Sequence, residues 1–499
     1  MQQRVRKIFY NPVSFVGLII VVFNIAFIVF LSLVEAFSRR EHPYADLVIW
    51  LILPAIVLFG LALILIGIRR ERRKEREGQA PSLASLIVDF NNPKHRRTFL
   101  ALLTGFLLMS LLYAFAGYKT YEFTESVTFC GSMCHKIMGP QYRSHAFSEH
   151  AEIGCVNCHV GPGIRYFLLY KLRGTKELFD LIFDRYPRPI PSPVRDLRPS
   201  QEVCENCHGP QYRINERLQS RTYYLSDKQN TPKTVDFLLR MGNVEVKTEQ
   251  PPKMHWHSST TEEIMYVASD AKRNVIPWIR VKRLDGKVRV YRGEGSTMSD
   301  AAAVKAGTRR MDCVDCHNRQ GHAYNPPDVI VNALLNLKTI DPALPEIKAV
   351  SVEALDGDYP SRESAQKGIE TSIREFYKAT YPDISANKGE VISAAVRALQ
   401  QVYAWNYDPS MKVSWKNYPS NQGHRFSPGC FRCHDGKHRS DDGAVLSRDC
   451  SLCHLLIERT GTAPKPDQAV FRVMKYPHPV DIGDSWKTMQ CHECHGAAQ

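Results

Sequence analysis

Three stretches near the N-terminus, Val13 to Val34, Leu47 to Ile68 and Thr98 to Tyr118, run 22, 22 and 21 residues without a charge. At about 1.5 Å per residue each reaches about 31–33 Å as a helix, enough to cross a hydrocarbon core about 30 Å thick. The first is too long for a signal-peptide core and lacks a clean small-x-small cleavage site, so it is expected to stay attached. Pro54 in the second is a kink that membrane helices tolerate. Farther on the apolar positions change period. Gly163 to Asp184 reads as an amphipathic helix resting on an interface, with Tyr166, Phe167, Leu168, Leu169 and Tyr170 as its apolar material. Pro-rich Tyr186 to Pro199 reads as an extended connection. Ile276 to Arg283 and Val288 to Tyr291 alternate about a turn at Asp285-Gly286, a hairpin pattern. Ala365 to Tyr377 and Val391 to Trp405 have helical spacing.

Charge orients the spans. Arg4, Arg6 and Lys7 precede the first, and Arg69, Arg70, Arg72, Arg73, Lys74, Arg76, Lys94, Arg96 and Arg97 join the second to the third. Only Arg39, Arg40 and Lys119 stand near the membrane on the opposite side. An excess of Lys and Arg marks the cytoplasmic face, so the N-terminus is expected inside and everything after the third span outside. The formal net charge of +14 then loses its first meaning, because residues 1–120 hold 15 Lys and Arg against seven Asp and Glu. Beside two spans the basic run reads as a topology signal, and no nucleic-acid partner is expected.

The 14 cysteines fall into seven pairs, each followed at once by histidine. They are Cys130/Cys134-His135, Cys155/Cys158-His159, Cys204/Cys207-His208, Cys313/Cys316-His317, Cys430/Cys433-His434, Cys450/Cys453-His454 and Cys491/Cys494-His495. Seven such adjacencies would arise by accident with a probability of about 10⁻¹⁰, and the pattern is that of c-type haem attachment. Two thiols add to the haem vinyl groups, and the next residue sets an imidazole under the iron. Zinc sites would need two such pairs each, and a disulfide framework leaves the histidines unexplained. Seven covalently attached haem c groups are therefore expected. The first pair has three intervening residues, with Met133 inside its loop and Met138 just beyond; a thioether ligand or a methionine packed on the porphyrin would each fit.

Eleven of the 18 histidines lie outside the motifs. His42 and His95 flank the spans and are not expected to bind iron. His150, His322, His424, His438 and His492 are the stronger sixth-ligand candidates by proximity to a motif. His255 or His257 would serve the isolated fourth motif, His478 is a further candidate, and His145 is the weakest. Nine candidates for seven positions predict six-coordinate, electron-transferring haems.

From Thr98 to Pro210 the sequence resembles the NapC/NirT family of membrane-anchored multihaem quinol dehydrogenases. The shared stretches are Phe129-Cys-Gly-Ser-Met-Cys-His, Met138-Gly-Pro-Gln-Tyr, Ser148-Glu-His-Ala, Cys155-Val-Asn-Cys-His-Val-Gly-Pro-Gly, Lys171-Leu-Arg-Gly-Thr, Tyr186-Pro-Arg-Pro-Ile-Pro and Leu197-Arg-Pro-Ser-Gln-Glu-Val-Cys-Glu-Asn-Cys-His. The layout of three spans and seven haems looks like the ImcH-type inner-membrane cytochromes of metal-reducing bacteria. The resemblance implies quinol oxidation near the first haem, His150 as a distal ligand, and Lys171 near the quinol with Glu177 or Asp180 as its acidic neighbour. It departs from smaller members, which have one span and four haems and often place methionine two residues after the first haem histidine. Gln141 also stands where relatives often carry glutamate. A solvated helix face is the plainer account of Lys171, Glu177 and Asp180.

The expected fold is mainly α: three transmembrane helices and a large extracytoplasmic multihaem c-type cytochrome domain with much irregular structure and a small β element. Residues 1–120 would form the membrane domain, 121–210 a NapC/NirT-like three-haem module, and 211–312 a β-containing insert. Residues 313–425 would hold the fourth haem and a helical segment, and 426–499 a C-terminal three-haem module. Buried porphyrins are expected to supply much of the apolar core. The expected function is menaquinol oxidation at the periplasmic surface of a bacterial inner membrane, with electrons passed to periplasmic c-type cytochromes or a terminal reductase, as a single chain or an oligomer. The alternatives are a non-enzymatic anchor and electron wire in a larger complex, or a terminal reductase acting at an open haem.

Overall fold

The computed structural model describes residues 11–37, 53–78, 91–133, 136–161, 164–193, 198–209, 216–242, 253–259, 262–460, 470–474, 478 and 480–496. The chain divides into two compact units, one of residues 1–129 with 160–176 and one of residues 130–159 with 177–499. It is mainly α, with two small antiparallel sheets and long irregular stretches.

The first unit holds three helices long and apolar enough to cross a membrane: α1 (Pro12–Phe37), α2 (Leu53–Arg76) and α3 (Pro93–Thr124). Each covers one apolar run; residues 47–52 of the second run lie outside the described residues. α2 continues past its apolar run through Arg69 to Arg76. Arg, Lys and Glu are strong helix formers, and cations in the last turn favour the negative end of the helix dipole. Pro93 opens α3, where its missing N–H costs nothing. α1 and α2 meet on small residues: a Cβ on Gly17 would stand 2.6 Å from the Gly60 carbonyl oxygen. Close backbone approach replaces the hydrophobic drive that lipid cannot supply, and Ser14 Oγ adds a hydrogen bond donated to the Ile64 carbonyl at 3.0 Å.

The second unit begins with short turns around the motifs. After a π-helical turn (Phe129–Met133) come α4 (Gly139–Ala146) and α5 (Cys155–His159). Next, α6 (Ile164–Ile182) belongs to the first unit as far as residue 176, and α7 (Ser200–Cys204) ends on the third motif. Strands β1 (Arg217–Tyr224) and β2 (Pro232–Leu239) pair with β8 (His454–Thr460) and β9 (Val470–Met474) in the order β1-β2-β8-β9. The other sheet is β6-β3-β4-β5-β7, from β3 (Glu263–Val267), β4 (Trp278–Lys282), β5 (Val288–Arg292), β6 (Arg309–Arg310) and β7 (Arg439–Ser440). β4 and β5 form the hairpin that the alternation predicts, with Gly286 at φ +81° in its turn. β6 leads into the fourth motif and β7 leaves the fifth, so this sheet carries both at its edges.

α8 (Asp300–Ala306) precedes β6, and α9 (Cys313–Cys316) is the fourth motif itself; between it and the fifth stand α10 (Pro327–Asn336), α11 (Ile347–Asp356), α12 (Arg362–Thr380), α13 (Pro382–Asn387) and α14 (Gly389–Asn406). Ser361 and Ser364 cap α12 reciprocally. Ala365, Ile369, Ile373 and Tyr377 follow at four-residue intervals and are fully buried, facing Ile392, Val396 and Leu399 of α14. This is the largest core among the described residues, and it contains no haem motif. Side chains alone fill it. The last helices are α15 (Ser485–Thr488) and α16 (Cys491–His495).

Candidate functional site

A C-x-x-C-H segment fits one turn of helix, and the motifs of α5, α9 and α16 take that form. The first motif has one residue more, and its chain widens into the π-helical turn Phe129–Met133. One extra residue per turn is what an i→i+5 helix accommodates. Gly131 is required there, since a Cβ would run into the Tyr142 ring. Cys134 and His135 lie outside the described residues, as does His42.

The motif cysteines are not equally enclosed. Cys433 is half-buried beside the sheet core of β3 and β4, whereas Cys158, Cys207, Cys450, Cys491 and Cys494 are exposed. Cys494 stands out because its partner cysteine and the following His495 are exposed with it. The physical reason is local: α16 is a five-residue turn with no buried residue, so no packed face draws its sulfurs inward. An exposed thiol still suits haem attachment, which needs a sulfur open to a vinyl group at the porphyrin edge.

The six other motif histidines each face a second imidazole. Ring centres are 5.9 Å apart for His208 and His150, 6.2 Å for His159 and His322, and 6.5 Å for His317 and His255. They are 5.7 Å apart for His434 and His257, 6.2 Å for His454 and His424, and 6.1 Å for His495 and His478. An iron bonded at about 2.0 Å to one nitrogen of each ring, the nitrogen about 1.1 Å from the ring centre, sets the centres about 6.2 Å apart. The donor sets therefore fit bis-imidazole iron.

Local hydrogen bonds orient the rings. His322 Nδ1 donates to the Gln141 carbonyl at 3.0 Å, His257 Nδ1 to Met254 at 2.8 Å, His434 Nδ1 to Ser447 at 3.1 Å and His478 Nδ1 to Val480 at 2.7 Å. A carbonyl only accepts, so these rings carry hydrogen on Nδ1 and keep the Nε2 lone pair for a metal. Nδ1 of His150, His424 and His454 is buried with no hydrogen-bond partner among the described residues, an expense that a bound group on the same ring would offset. Burial, then the neighbouring imidazole, lowers the pKa of His257 and of His322 to about 4, which holds both in the neutral, ligating form.

Two expected ligands are placed otherwise. His438 uses both nitrogens: Nδ1 meets Asp435 Oδ1 at 2.9 Å and Nε2 meets the Ile276 carbonyl oxygen at 2.7 Å. Neither is left for iron, so His438 is a tie between the fifth motif's loop and the strand region before β4. No described motif histidine faces His492, which sits inside the seventh motif on α16. His145, the weakest candidate, is buried with its ring 6.1 Å from that of His322. Met138 ends a 3-10 turn and is half-buried.

Sequence reasoning left open which imidazole faces which motif. His255 and His257 share one 3-10 turn, Met254–Ser258, and face the fourth and fifth motifs respectively. That turn hangs from the strand end: the Met254 N–H donates to the Arg240 carbonyl at 3.0 Å and the His255 N–H to Met241 at 3.1 Å. The Met-His-Trp-His string was the available signal.

On α6 the residues named for proton handling do not share a face. At 100° per residue, positions 177 and 180 are about 60° apart, and position 171 is about 180° from 180. Glu177 is exposed and Asp180 half-exposed; the Lys171 side chain lies outside the described residues. Leu169, Leu172, Phe179 and Ile182 are exposed along the same helix, which gives it an apolar flank.

Residues 92–189 match the NapC/NirT cytochrome c family, N-terminal region. Over 492 residues, 98% of this chain and 96% of the relative, the sequence is 36% identical to the cytochrome c-type protein ImcH of Geobacter sulfurreducens. No solved structure matches.

Proposed function

The chain belongs to the NapC/NirT cytochrome c family, whose members carry covalent haem c, and from its place among membrane electron-transfer cytochromes we propose that it oxidises menaquinol. The proposed setting is the periplasmic face of a bacterial inner membrane, with the N-terminus cytoplasmic and residues 130–499 outside apart from the segment that rests on the membrane. Menaquinol would give up two protons and two electrons to become menaquinone, and periplasmic c-type cytochromes or a terminal reductase would take the electrons.

The observation that carries this reading is the joint between span and motif. α3 ends at Thr124, with five residues between it and Cys130, so a lipid-dissolved donor and the first motif are tied to one helix end. The apolar flank of α6 supports a second anchor at the same interface. Seven haems are proposed, one per motif, held by the motif cysteines and histidines. The assigned sixth ligands are His322, His150, His255, His257, His424 and His478 for motifs two to seven. Bound haem supplies one-electron redox chemistry. The paired imidazoles leave no open position at those six motifs, which favours electron transfer over a terminal reductase.

Proton release falls to side chains of α6. Glu177 and Asp180 lie on one flank and Lys171 on the other, so one quinol is served from one flank only. The test is stopped-flow reduction of the purified, detergent-solubilised chain by a menaquinol analogue, with quinone-site inhibitors as control. Reduction by dithionite but not by quinol would leave an electron wire whose quinol site lies in another subunit.

A further inference from the structure

We infer that the seven haem sites form one continuous file in motif order, with the fourth as the crossing between the first three and the last three, so that charge admitted at the first site must pass the fourth before reaching the seventh. Each successive pair of motifs is joined by its own contact. The Cys130 and Cys155 sulfurs approach closely, joining motifs one and two. α5 packs on α7, and Cys158 stands within electrostatic reach of Cys207, joining two and three. The Cys313 N–H donates to Ser200 Oγ at 3.0 Å, and the Cys204 side chain meets that of Cys313, joining three and four.

Four and five are joined most heavily. Arg432 Nη2, inside the fifth motif, donates to the Asp315 carbonyl of the fourth at 2.6 Å, and Cys316 faces Cys430. The same two motifs look onto His255 and His257 of the Met254–Ser258 turn. The Cys430 and Cys453 sulfurs approach closely, joining five and six, and Cys453 also stands within electrostatic reach of Cys316 in the fourth motif. Arg240, whose carbonyl carries the ligand turn, also donates through its own N–H to the Cys453 carbonyl at 2.8 Å and through Nη1 to Ser451 at 2.8 Å. Arg448, two residues before the sixth motif, caps α15 by donating to the carbonyls of Trp486 at 3.2 Å and Lys487 at 3.1 Å. That joins six and seven, with Cys450 within electrostatic reach of Cys491.

The intervals along the chain suggest three haems, one alone, and three more. In space the solitary fourth motif is the bridge between the groups. The far end of the file is open: the seventh is the one described motif whose two cysteines and histidine, Cys491, Cys494 and His495, are all exposed. A one-electron acceptor in solution would meet it there.

The file is independent of the quinol reading except in the direction of flow. A cryo-EM map of the haem-loaded, full-length chain tests it directly. Each haem should have as nearest neighbours those of the preceding and following motifs. A gap between two successive haems, or any of the first three beside any of the last three, overturns the file. A second measurement uses Cys313→Ala/Cys316→Ala, which removes the fourth haem. Menaquinol should then reduce the sites of motifs one to three and leave those of five to seven oxidised, while dithionite reduces all of them. Full reduction by quinol at the wild-type rate overturns the file. Wild-type protein that quinol cannot reduce would sink the quinol reading, and the map would still decide the order.

Discussion

Asp315, the middle residue of the fourth motif, offers a sharp test of what holds the bridge together. Its side chain is 1% exposed. Oδ1 accepts from Tyr266 Oη at 2.6 Å, Arg309 Nε at 3.2 Å and Arg273 Nη1 at 3.4 Å, while Oδ2 accepts from the Asp312 N–H at 2.9 Å. Asp315→Asn keeps the shape but only one acceptor oxygen. Turned one way, its amide nitrogen faces the Asp312 N–H; turned the other, it faces two guanidinium groups and a phenol. Hydrogen bonds to charged groups are worth about 1.5–3 kcal/mol each, and stranding a buried charge costs about 3–5 kcal/mol. Arg309 and Arg273 keep 32% and 20% of their side chains exposed, so water relieves part of that loss. A net cost of about 3 kcal/mol follows. In a folded body of this size that is a fall in Tm of about 3–6 °C. Scanning calorimetry of the haem-loaded protein measures it, with haem content checked by pyridine haemochrome. Asp442→Asn, which breaks a solvent-exposed pair with Arg289, should leave Tm unchanged. An Asp315→Asn protein with full haem content melting within about 1 °C of wild type would refute the argument, since its hydrogen bonds could not then carry the stated energy.

Other outcomes follow from the same geometry. His322→Ala should convert one haem from low to high spin in electron paramagnetic resonance spectra, whereas His438→Ala should leave the spin state of every haem unchanged; the reverse pattern would undo the ligand assignment. The His438 pKa stands above its ordinary value. Burial opposes the charge there, and the Asp435 carboxylate and Ile276 carbonyl outweigh it. A folded pKa raised in this way gives stability that is full below about pH 6.5 and is lost as pH rises through the folded value. Calorimetric stability should therefore decline above about pH 6.5, and His438→Gln should remove that component of the slope. Glu177→Gln, Asp180→Asn and Lys171→Gln should not act alike: quinol-driven reduction should slow by about tenfold or more for one flank of α6 and stay near wild type for the other. Equal effects from all three would contradict the helix geometry. Arg432→Ala should slow electron passage from the fourth to the fifth haem in time-resolved reduction while leaving the haem count intact.

Periodicity and residue spacing made much of this legible. Apolar runs marked α1 to α3 because lipid demands uninterrupted length, and the four-residue spacing of Ala365 to Tyr377 marked α12 because one buried face demands it. The cysteine motifs are legible by spacing alone, though not how open each one is: nothing in the spacing separates Cys433, half-buried against a sheet, from Cys494, exposed on a short turn. Proximity along the chain served the distal ligands less well. It pointed to His150, His322 and His424, whose rings face motif imidazoles, and equally to His438 and His492, whose rings do not, because nearness to a motif does not say where a ring points. What separates His322 from His438 is where the second nitrogen goes, and that is decided by carbonyls of Gln141 and Ile276 far away in sequence. The α6 residues show the same limit in reverse: Lys171, Glu177 and Asp180 lie close in sequence, yet the helix sends them to different flanks.

The proposed pairing of His159 with His322 bears on how such a chain is made. A polypeptide leaves the ribosome N-terminus first. For motifs three to seven the assigned partners, His150, His255, His257, His424 and His478, all precede the motif they close, so each site can be completed as soon as its own cysteines emerge. Of the six motifs with an assigned partner, the second alone must wait for a residue 163 positions downstream, beyond the fourth motif. Until then its imidazole has no opposite number. Biogenesis thus acquires an order: a half-built site early in the chain is sealed late, by the same stretch of chain that delivers the fourth motif.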